Sequence, residues 1–312
     1  MIGRLGHRFG RDENLQSVVE PTRESPGMND LKRPNGPLSN RQRYFAGPLN
    51  LDGRGLEIGP SYNPTISKTL GPRVDILDHA SQSDLIAKYQ AMGGVDITAI
   101  EPVDFVSDGR RMTEVIGERG VYDWIIASHV IEHTPDLLGF LLDCQDLLND
   151  DGILALAVPD KRTCFDVFSP LSSVGHVLDA NHEKRTRPTP GAVFDHAANS
   201  AYRQESGTWT LDNNGALRHV NGLATAFADW TRAKSSAEYI DAHVWRFVPS
   251  SFRLMVRDLN ELGMLGLKEF IFHPNAGAEF YMFLSKSADG CPHDRTTLAK
   301  EALKEHAEII VS

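Results

Sequence analysis

The sequence predicts an α/β protein, a mostly parallel sheet with crossover helices on both faces. Short apolar runs alternate with segments of helical period from residue 55 to 158, the order that a parallel sheet requires. The run "YDWIIAS" (122–128) is apolar at its centre without alternation, as in a strand covered on both faces. Glycine and polar residues follow each run, at the strand ends where open α/β sheets hold ligands.

Residues 1 to about 40 are rich in Arg, Asn, Pro, Gly and Ser and lack apolar periodicity, so they read as a mobile tail. The domain proper, 41–287, opens near "RQRYFAG". "GLEIG" (55–59) and "VDIL" (74–77) give the first two strands. Ser81 followed by Asp84 resembles a capping box and starts a helix carrying Leu85, Ile86 and Tyr89. "PVDFV" (102–106) is the third strand and 122–128 the fourth. In "TPDLLGFLLDCQDLL" (134–148), Thr134 is the expected cap and Pro135 the first helical residue, ahead of leucines at helical spacing. The turn "NDDG" leads to a fifth strand, "ILALAV" (153–158).

Beyond it, residues 163 to about 242 break into short apolar pieces with Pro and Gly punctuation, a partly helical insertion with a helix near "GLATAFADWTRAK". Insertions of this length are commonly functional. "PSSFRLMVRDLNELG" predicts a capped amphipathic helix. "KEFIFH" and "AEFYMFLSK", joined by "PNAGA", predict a hairpin that adds an antiparallel element at one side of the sheet. Residues 288–312 form a helical extension.

A chain of 312 residues can bury one sizeable core. Its formal net charge of −10 gives no electrostatic footprint for nucleic acid. No run approaches the roughly 18 apolar residues of a membrane span, which makes a cytoplasmic location the expectation. The three cysteines, Cys144, Cys164 and Cys291, lie far apart without CxxC spacing, so neither a disulfide framework nor a zinc site is suggested.

The strand ends share a theme. After the first come Gly59, Pro60 and Ser61; after the second, Asp78 and His79; after the third, Asp108 and Gly109. After the fourth come Ser128, His129, Glu132 and His133, and after the fifth Asp160, Lys161 and Arg162. A carboxylate at Asp78 can accept from the vicinal hydroxyls of a ribose, although a capping or turn role explains it too. Asp108 can accept from an adenine amino group, and "SDG" is equally a turn. The turn "GPSYNP" bears on the kind of nucleotide. A dinucleotide needs backbone N–H groups around its pyrophosphate, and Pro60 and Pro64 donate none. A nicotinamide dinucleotide oxidoreductase therefore conflicts with this turn, whereas an adenosine joined to a charged amino acid does not.

The set "LEIGPSYNP", "VDILDHAS", "VDFVSDG", "YDWIIASHVIEHTPD" and "DDGILALAVPDKRTCFD" resembles the class I S-adenosylmethionine-dependent methyltransferases. In particular it is similar to a bacterial subgroup whose members accompany glycosyltransferases and surface-polysaccharide synthesis. The resemblance runs from about residue 54 to 166 and is looser at "HVWRFVPSSF" and "EFYMFLSK". It implies a Rossmann-like sheet of seven strands, the last antiparallel, with S-adenosylmethionine as cofactor and a sugar or other small polar acceptor. It implies Glu57 and Gly59 at the methionine end, Asp78 at the ribose hydroxyls, and Asp108 with Gly109 near the adenine, with Pro60, Ser61 and His79 also among the cofactor-binding residues. Ser128 and His129 would line the cofactor. The general family's second and third glycines are absent, and a proline at the position of Pro60 is usual in the subgroup.

If the acceptor is a hydroxyl, a base must remove its proton, and histidine suits the task. The catalytic candidates are His133 beside Glu132, His243 in "DAHVWRF", and Asp160. Helix-start packing for His133 and a loop role for His243 stay open. Lys161 and Arg162 can meet a phosphate or carboxylate of the acceptor, or form a solvated charged loop. Asp160 with His176 or His182 is a minor metal option, but no HxxxH or HxH spacing supports it, and no metal is expected. A second functional reading is a cofactor-binding, non-catalytic partner in a glycan-assembly complex.

Overall fold

The computed structural model describes residues 39–204, 208–209, 215–274 and 277–308, so the expected tail lies almost wholly outside the described residues. The first helix, α1 (Asn40–Ala46), starts on a capping box in which Ser39 and Gln42 satisfy each other's backbone N–H. It is followed by β1 (Arg54–Ile58), β2 (Arg73–Asp78), α2 (Gln82–Met92), β3 (Phe105–Val106), α3 (Met112–Ile116), β4 (Tyr122–Ser128), α4 (Leu137–Leu147) and β5 (Leu148–Pro159). The insertion contributes α5 (Val174–His182), α6 (Pro190–Asn199), β6 (Ala201–Arg203), β7 (Leu217–His219) and α7 (Leu223–Ser235). The chain then adds α8 (Pro249–Glu261), β8 (Lys268–His273), β9 (Glu279–Ser285) and α9 (Arg295–Ala307).

The main sheet has seven strands in the order β3-β2-β1-β4-β5-β9-β8. Strands β1 to β5 pair in parallel, while β9 runs antiparallel to both β5 and β8. Strand order reverses between β1 and β4, which places the switch point, the usual ligand crevice, at the ends of those two strands. Alternation along β4 serves two cores. Ile125 and Ala127 join Leu56, Leu154, Leu156 and the faces of α4 and α8 on one side. Trp124 and Ile126 meet Phe45 of α1, Tyr281 and Phe283 on the other. That double burial is why the strand reads as an unbroken apolar run.

One glycine makes this packing fit. A Cβ at Gly55 would sit 2.0 Å from the Trp124 ring, so only hydrogen leaves room for the indole across β1. Helix α9 docks on α8 through Leu298 and Ala302, with Ser250 bonded to Glu305 and Asp258 paired with Arg295 at 2.8 Å. Among the described residues no helix is long and apolar enough to cross a membrane.

Three elements depart from expectation. The third strand is a two-residue edge, Phe105–Val106, because Pro102 has no N–H and the Asp104 side chain itself accepts from Ile76 N–H at 2.7 Å. The cap of α4 is Asp136, whose Oδ1 accepts from Gly139 N–H at 2.8 Å; Thr134 instead turns its hydroxyl to the Ile131 carbonyl. The fifth strand begins at Leu148, with the "NDDG" segment carried as an irregularity before pairing with β4 resumes at Ile153. The expected cap of α8 is made by Ser251, whose Oγ accepts from Val248 N–H at 2.9 Å and donates to the Val248 carbonyl at 2.8 Å. Part of the β8–β9 turn lies outside the described residues.

Candidate functional site

The site is built from the turn after β1 outward. Gly59 has φ +64° and donates to the Leu77 carbonyl at 2.8 Å, and Ser61 also lies in the left-handed region, at φ +49°. Two buried carboxylates hold the turn. Asp78 Oδ2 accepts from Ser61 N–H at 2.9 Å, and Glu57 accepts from Thr65 N–H at 2.6 Å and Ile66 N–H at 3.1 Å. Burial pushes the Glu57 carboxyl up to about 7 even though both N–H groups favour its charge. Glu57, expected at the methionine end, thus acts as a clasp on the turn. Asp78 Oδ1 accepts from the backbone N–H of His79, whose Nδ1 lies 2.6 Å from it and whose Nε2 meets Lys88.

Asp108 shares no hydrogen bond with this group among the described residues. It is exposed and pairs with Arg110 at 2.7 Å, so its expected place against an adenine requires that pair to open. Gly109, at φ +88°, has no atom within 4 Å of an added Cβ. Ser128 Oγ is buried without a hydrogen-bond partner among the described residues.

The residue after β4, His129, also has positive φ, +54°. Its Nε2 is hydrogen-bonded to Glu279 at the start of β9, which is further held by Arg41 Nη2 at 2.6 Å and the Tyr281 hydroxyl at 2.6 Å. Burial would raise the Glu279 carboxyl, but His129 and Arg41 outweigh it and hold it at about 2. Helix α1 is thereby fastened over the strand ends.

Three residues on, the carbonyl of Glu132 accepts from Val244 N–H at 2.6 Å and Trp245 N–H at 3.2 Å. These bonds draw the "DAHVWRF" segment onto the β4 loop and bring His243 beside His133, ring centroids 4.6 Å apart. His133 Nδ1 meets Asp241 at 2.8 Å, and His243 Nδ1 meets Asp166 at 2.5 Å. Asp166 also pairs with Arg246 and is held well below the usual carboxylate range by His243 and Arg246 despite its burial. His196 accepts from His243 N–H at 3.2 Å, and burial together with His243 pushes it down to about 4. Insertion rings complete the wall, with Phe165 4.6 Å from His243 and Trp209 5.2 Å from His129.

The structure joins His133 to His243 but leaves Asp160 elsewhere. Every side-chain bond of Asp160 goes to Arg162, backbone and guanidinium. Lys161 is buried, its ammonium on the Val167 carbonyl at 2.8 Å, so neither cation of "DKR" is free for an acceptor. His176 and His182 are exposed on α5, and among the described residues no metal-competent group includes Asp160. Sequence reasoning missed Arg41, Asp166, His196, Asp241 and Glu279. Asp241 alone carried a signal, two residues before His243. An open depression of about 440 Å³ between Arg119, Gln145, Asn149 and Lys286 lies at the opposite, amino-terminal edge of β4 and β5, away from this chemistry.

The sheet order, with its switch point between β1 and β4, is that of the open α/β folds that bind ligands at the strand ends. Residues 31–259 match the model of a methyltransferase-domain family, and the chain belongs to that family. It is an S-adenosylmethionine-dependent methyltransferase. No curated protein matches the chain in sequence. Among solved structures, a SAM-dependent methyltransferase from Aquifex aeolicus is 10% identical, covering 83% of this chain and 93% of its own, with a TM-score of 0.39. The CcbJ methyltransferase from Streptomyces caelestis is 11% identical over 84% and 96%, also at 0.39. The PH0226 protein from Pyrococcus horikoshii is 12% identical over 78% and 86%, at 0.41.

Proposed function

We infer that the protein methylates a hydroxyl of a sugar or other small polar acceptor. The observation that carries this reading is the adjacency of two half-sites: buried Asp78 beside the Gly59 turn, and the Glu132–His133–His243 cluster beyond β4. S-adenosylmethionine, when bound, supplies a methyl already activated by the positive charge on its sulfur. The chain must then align the acceptor, and positioning of this kind contributes about 7–11 kcal/mol. Asp78 Oδ2 accepts only from Ser61 and keeps a lone pair for one ribose hydroxyl, while Oδ1 is engaged by His79 N–H and Nδ1 and would receive the second hydroxyl if the His79 ring swings away. Gly59, Pro60 and Ser61 give a turn with little steric bulk for the amino-acid end, and Ser128 and His129 follow on the next strand. His133 and His243 are proposed to line the acceptor side of the cleft, where they would act on an acceptor hydroxyl either directly or through a group that they hold.

A polysaccharide-type acceptor is supported by the motif resemblance, and a cytoplasmic location by three cysteines that are all free thiols. Calorimetric titration with S-adenosylhomocysteine tests the cofactor half. Asp78→Asn keeps an acceptor for Ser61 yet removes the charge. Weakening one or two charge-assisted bonds should cost about tenfold to a hundredfold in affinity. Absence of binding at millimolar ligand, or unchanged affinity in Asp78→Asn, overturns the assignment. Transfer of labelled methyl to sugar-containing extract fractions, read by mass spectrometry, tests the acceptor class.

A further inference from the structure

Glu132, His133 and His243 come from two segments far apart in sequence, and each presents one ligand atom to a common centre, all within 4.8 Å of one another. Two features separate them from casual neighbours. The Glu132 carboxylate is 2% exposed, yet neither oxygen has a hydrogen-bond partner among the described residues. Its nearest imidazole nitrogens, on His129 and His133, stand at 3.6 and 4.0 Å, beyond bonding distance. A buried, unpaired carboxylate is among the most costly groups a fold can carry. Both cluster imidazoles are also already oriented, His133 Nδ1 by Asp241 at 2.8 Å and His243 Nδ1 by Asp166 at 2.5 Å. A carboxylate on Nδ1 fixes the tautomer in which the Nε2 lone pair is free, the arrangement found behind metal-bound histidines.

We propose that Glu132, His133 and His243 bind one divalent first-row transition-metal ion. Two imidazoles and a carboxylate favour the Zn²⁺, Fe²⁺ and Co²⁺ class over Mg²⁺ and Ca²⁺, which prefer all-oxygen shells. Metal–ligand bonds of about 2.1 Å bring ligand atoms to roughly 3–3.5 Å from one another. The 4.0 Å between Glu132 and His133 therefore closes by about 0.5–1 Å, and the widest separation in the group, at most 4.8 Å, by up to about 1.8 Å, which calls for rotation of the Glu132 carboxylate and a small shift of an imidazole. Three protein ligands leave coordination positions open, and the site lies under Phe165 and Trp209 of the insertion. Taking an acceptor oxygen at an open position rests on the proposed function; the ligand set does not. Local spacing gave no hint of this site because its ligands meet only through the Glu132 carbonyl bonds to Val244 and Trp245.

The test uses the full chain, stripped with a chelator and titrated with Co²⁺ by visible absorption and calorimetry, alongside S-adenosylhomocysteine calorimetry. One ion per chain and a visible band are expected. Glu132→Gln and His243→Gln should each weaken Co²⁺ by about a hundredfold or more, and Asp166→Asn, a positioning change, by about tenfold with an altered band. S-adenosylhomocysteine affinity should persist in Glu132→Gln. Stripped wild-type protein that binds S-adenosylhomocysteine but takes up no Co²⁺ at millimolar concentration overturns the site, and so does equal Co²⁺ affinity in wild type and Glu132→Gln. The reverse pattern, Co²⁺ bound but S-adenosylhomocysteine not, sinks the cofactor assignment and leaves the metal site standing. Should Glu132→Gln fail to fold, the wild-type titration and His243→Gln decide the matter.

Discussion

Glu279→Gln isolates the electrostatics that fasten α1 over the strand ends. Glu279 is buried among Arg41, His129 and Tyr281, and its carboxyl is held at about 2 against an ordinary value of 4.5. A depressed carboxyl stabilises the fold fully above its unfolded value, and that contribution is lost as pH falls through the folded value. Each pH unit in that window is worth about 1.4 kcal/mol, so Glu279 contributes about 3 kcal/mol at neutral pH. Glutamine keeps the shape and one acceptor but faces donors with an NH₂ group. Urea unfolding of both proteins should show wild type more stable by about 3 kcal/mol, steadily from pH 8 to 5. The difference should shrink below pH 4.5, by at most about 1.4 kcal/mol per unit. A gap that stays constant from pH 7 to 3.5, or widens on acidification, would refute the claim that the charge on Glu279 is what the neighbours stabilise.

Gly55→Ala should cost about 3 kcal/mol, the upper end of overpacking penalties, because its methyl would meet the Trp124 ring at 2.0 Å; thermal melts and near-ultraviolet circular dichroism read this directly. Lys161 is pulled down by burial from 10.5 to about 8, with one carbonyl as partner, so the unfolded chain binds the extra proton between those values. Wild-type stability relative to Lys161→Met should therefore rise by about 3 kcal/mol from pH 8 to 10.5, and denaturant melts across that range would expose a flat difference.

The sheet was legible because its signals are local. Residues 122–128 declared a doubly covered strand by composition, and the structure shows Trp124 and Ile126 in one core with Ile125 and Ala127 in the other. Ser81 declared the start of α2 in the same way. Helix starts were misplaced where two capping chemistries lie close together: Thr134 and Asp136 both offer an oxygen, and Gly139 decides for Asp136, since a Cβ there would fall 2.4 Å from its carboxylate. The histidine cluster proposed as the acceptor half was not legible. His243 reaches His133 through backbone bonds to the Glu132 carbonyl, and a carbonyl carries no side-chain identity for a sequence to display. Likewise Glu279 and Arg41 meet across 238 positions, a closure that no periodicity records.

The turn after β1 shows how the same residues can exclude one ligand and suit another. A phosphate cradle needs N–H groups directed outward at the ligand. Here Pro60 and Pro64 have none, and the N–H groups of Ser61, Thr65 and Ile66 are spent on Asp78 and Glu57. A pyrophosphate at this edge would meet carboxylates without compensating donors, an unfavourable pairing on both counts. A cationic sulfonium attached to an adenosine would meet the reverse situation. In the proposed site Asp78 would lend it negative charge and a hydroxyl acceptor, and a turn already fastened by its own carboxylates needs no bound anion to hold its shape.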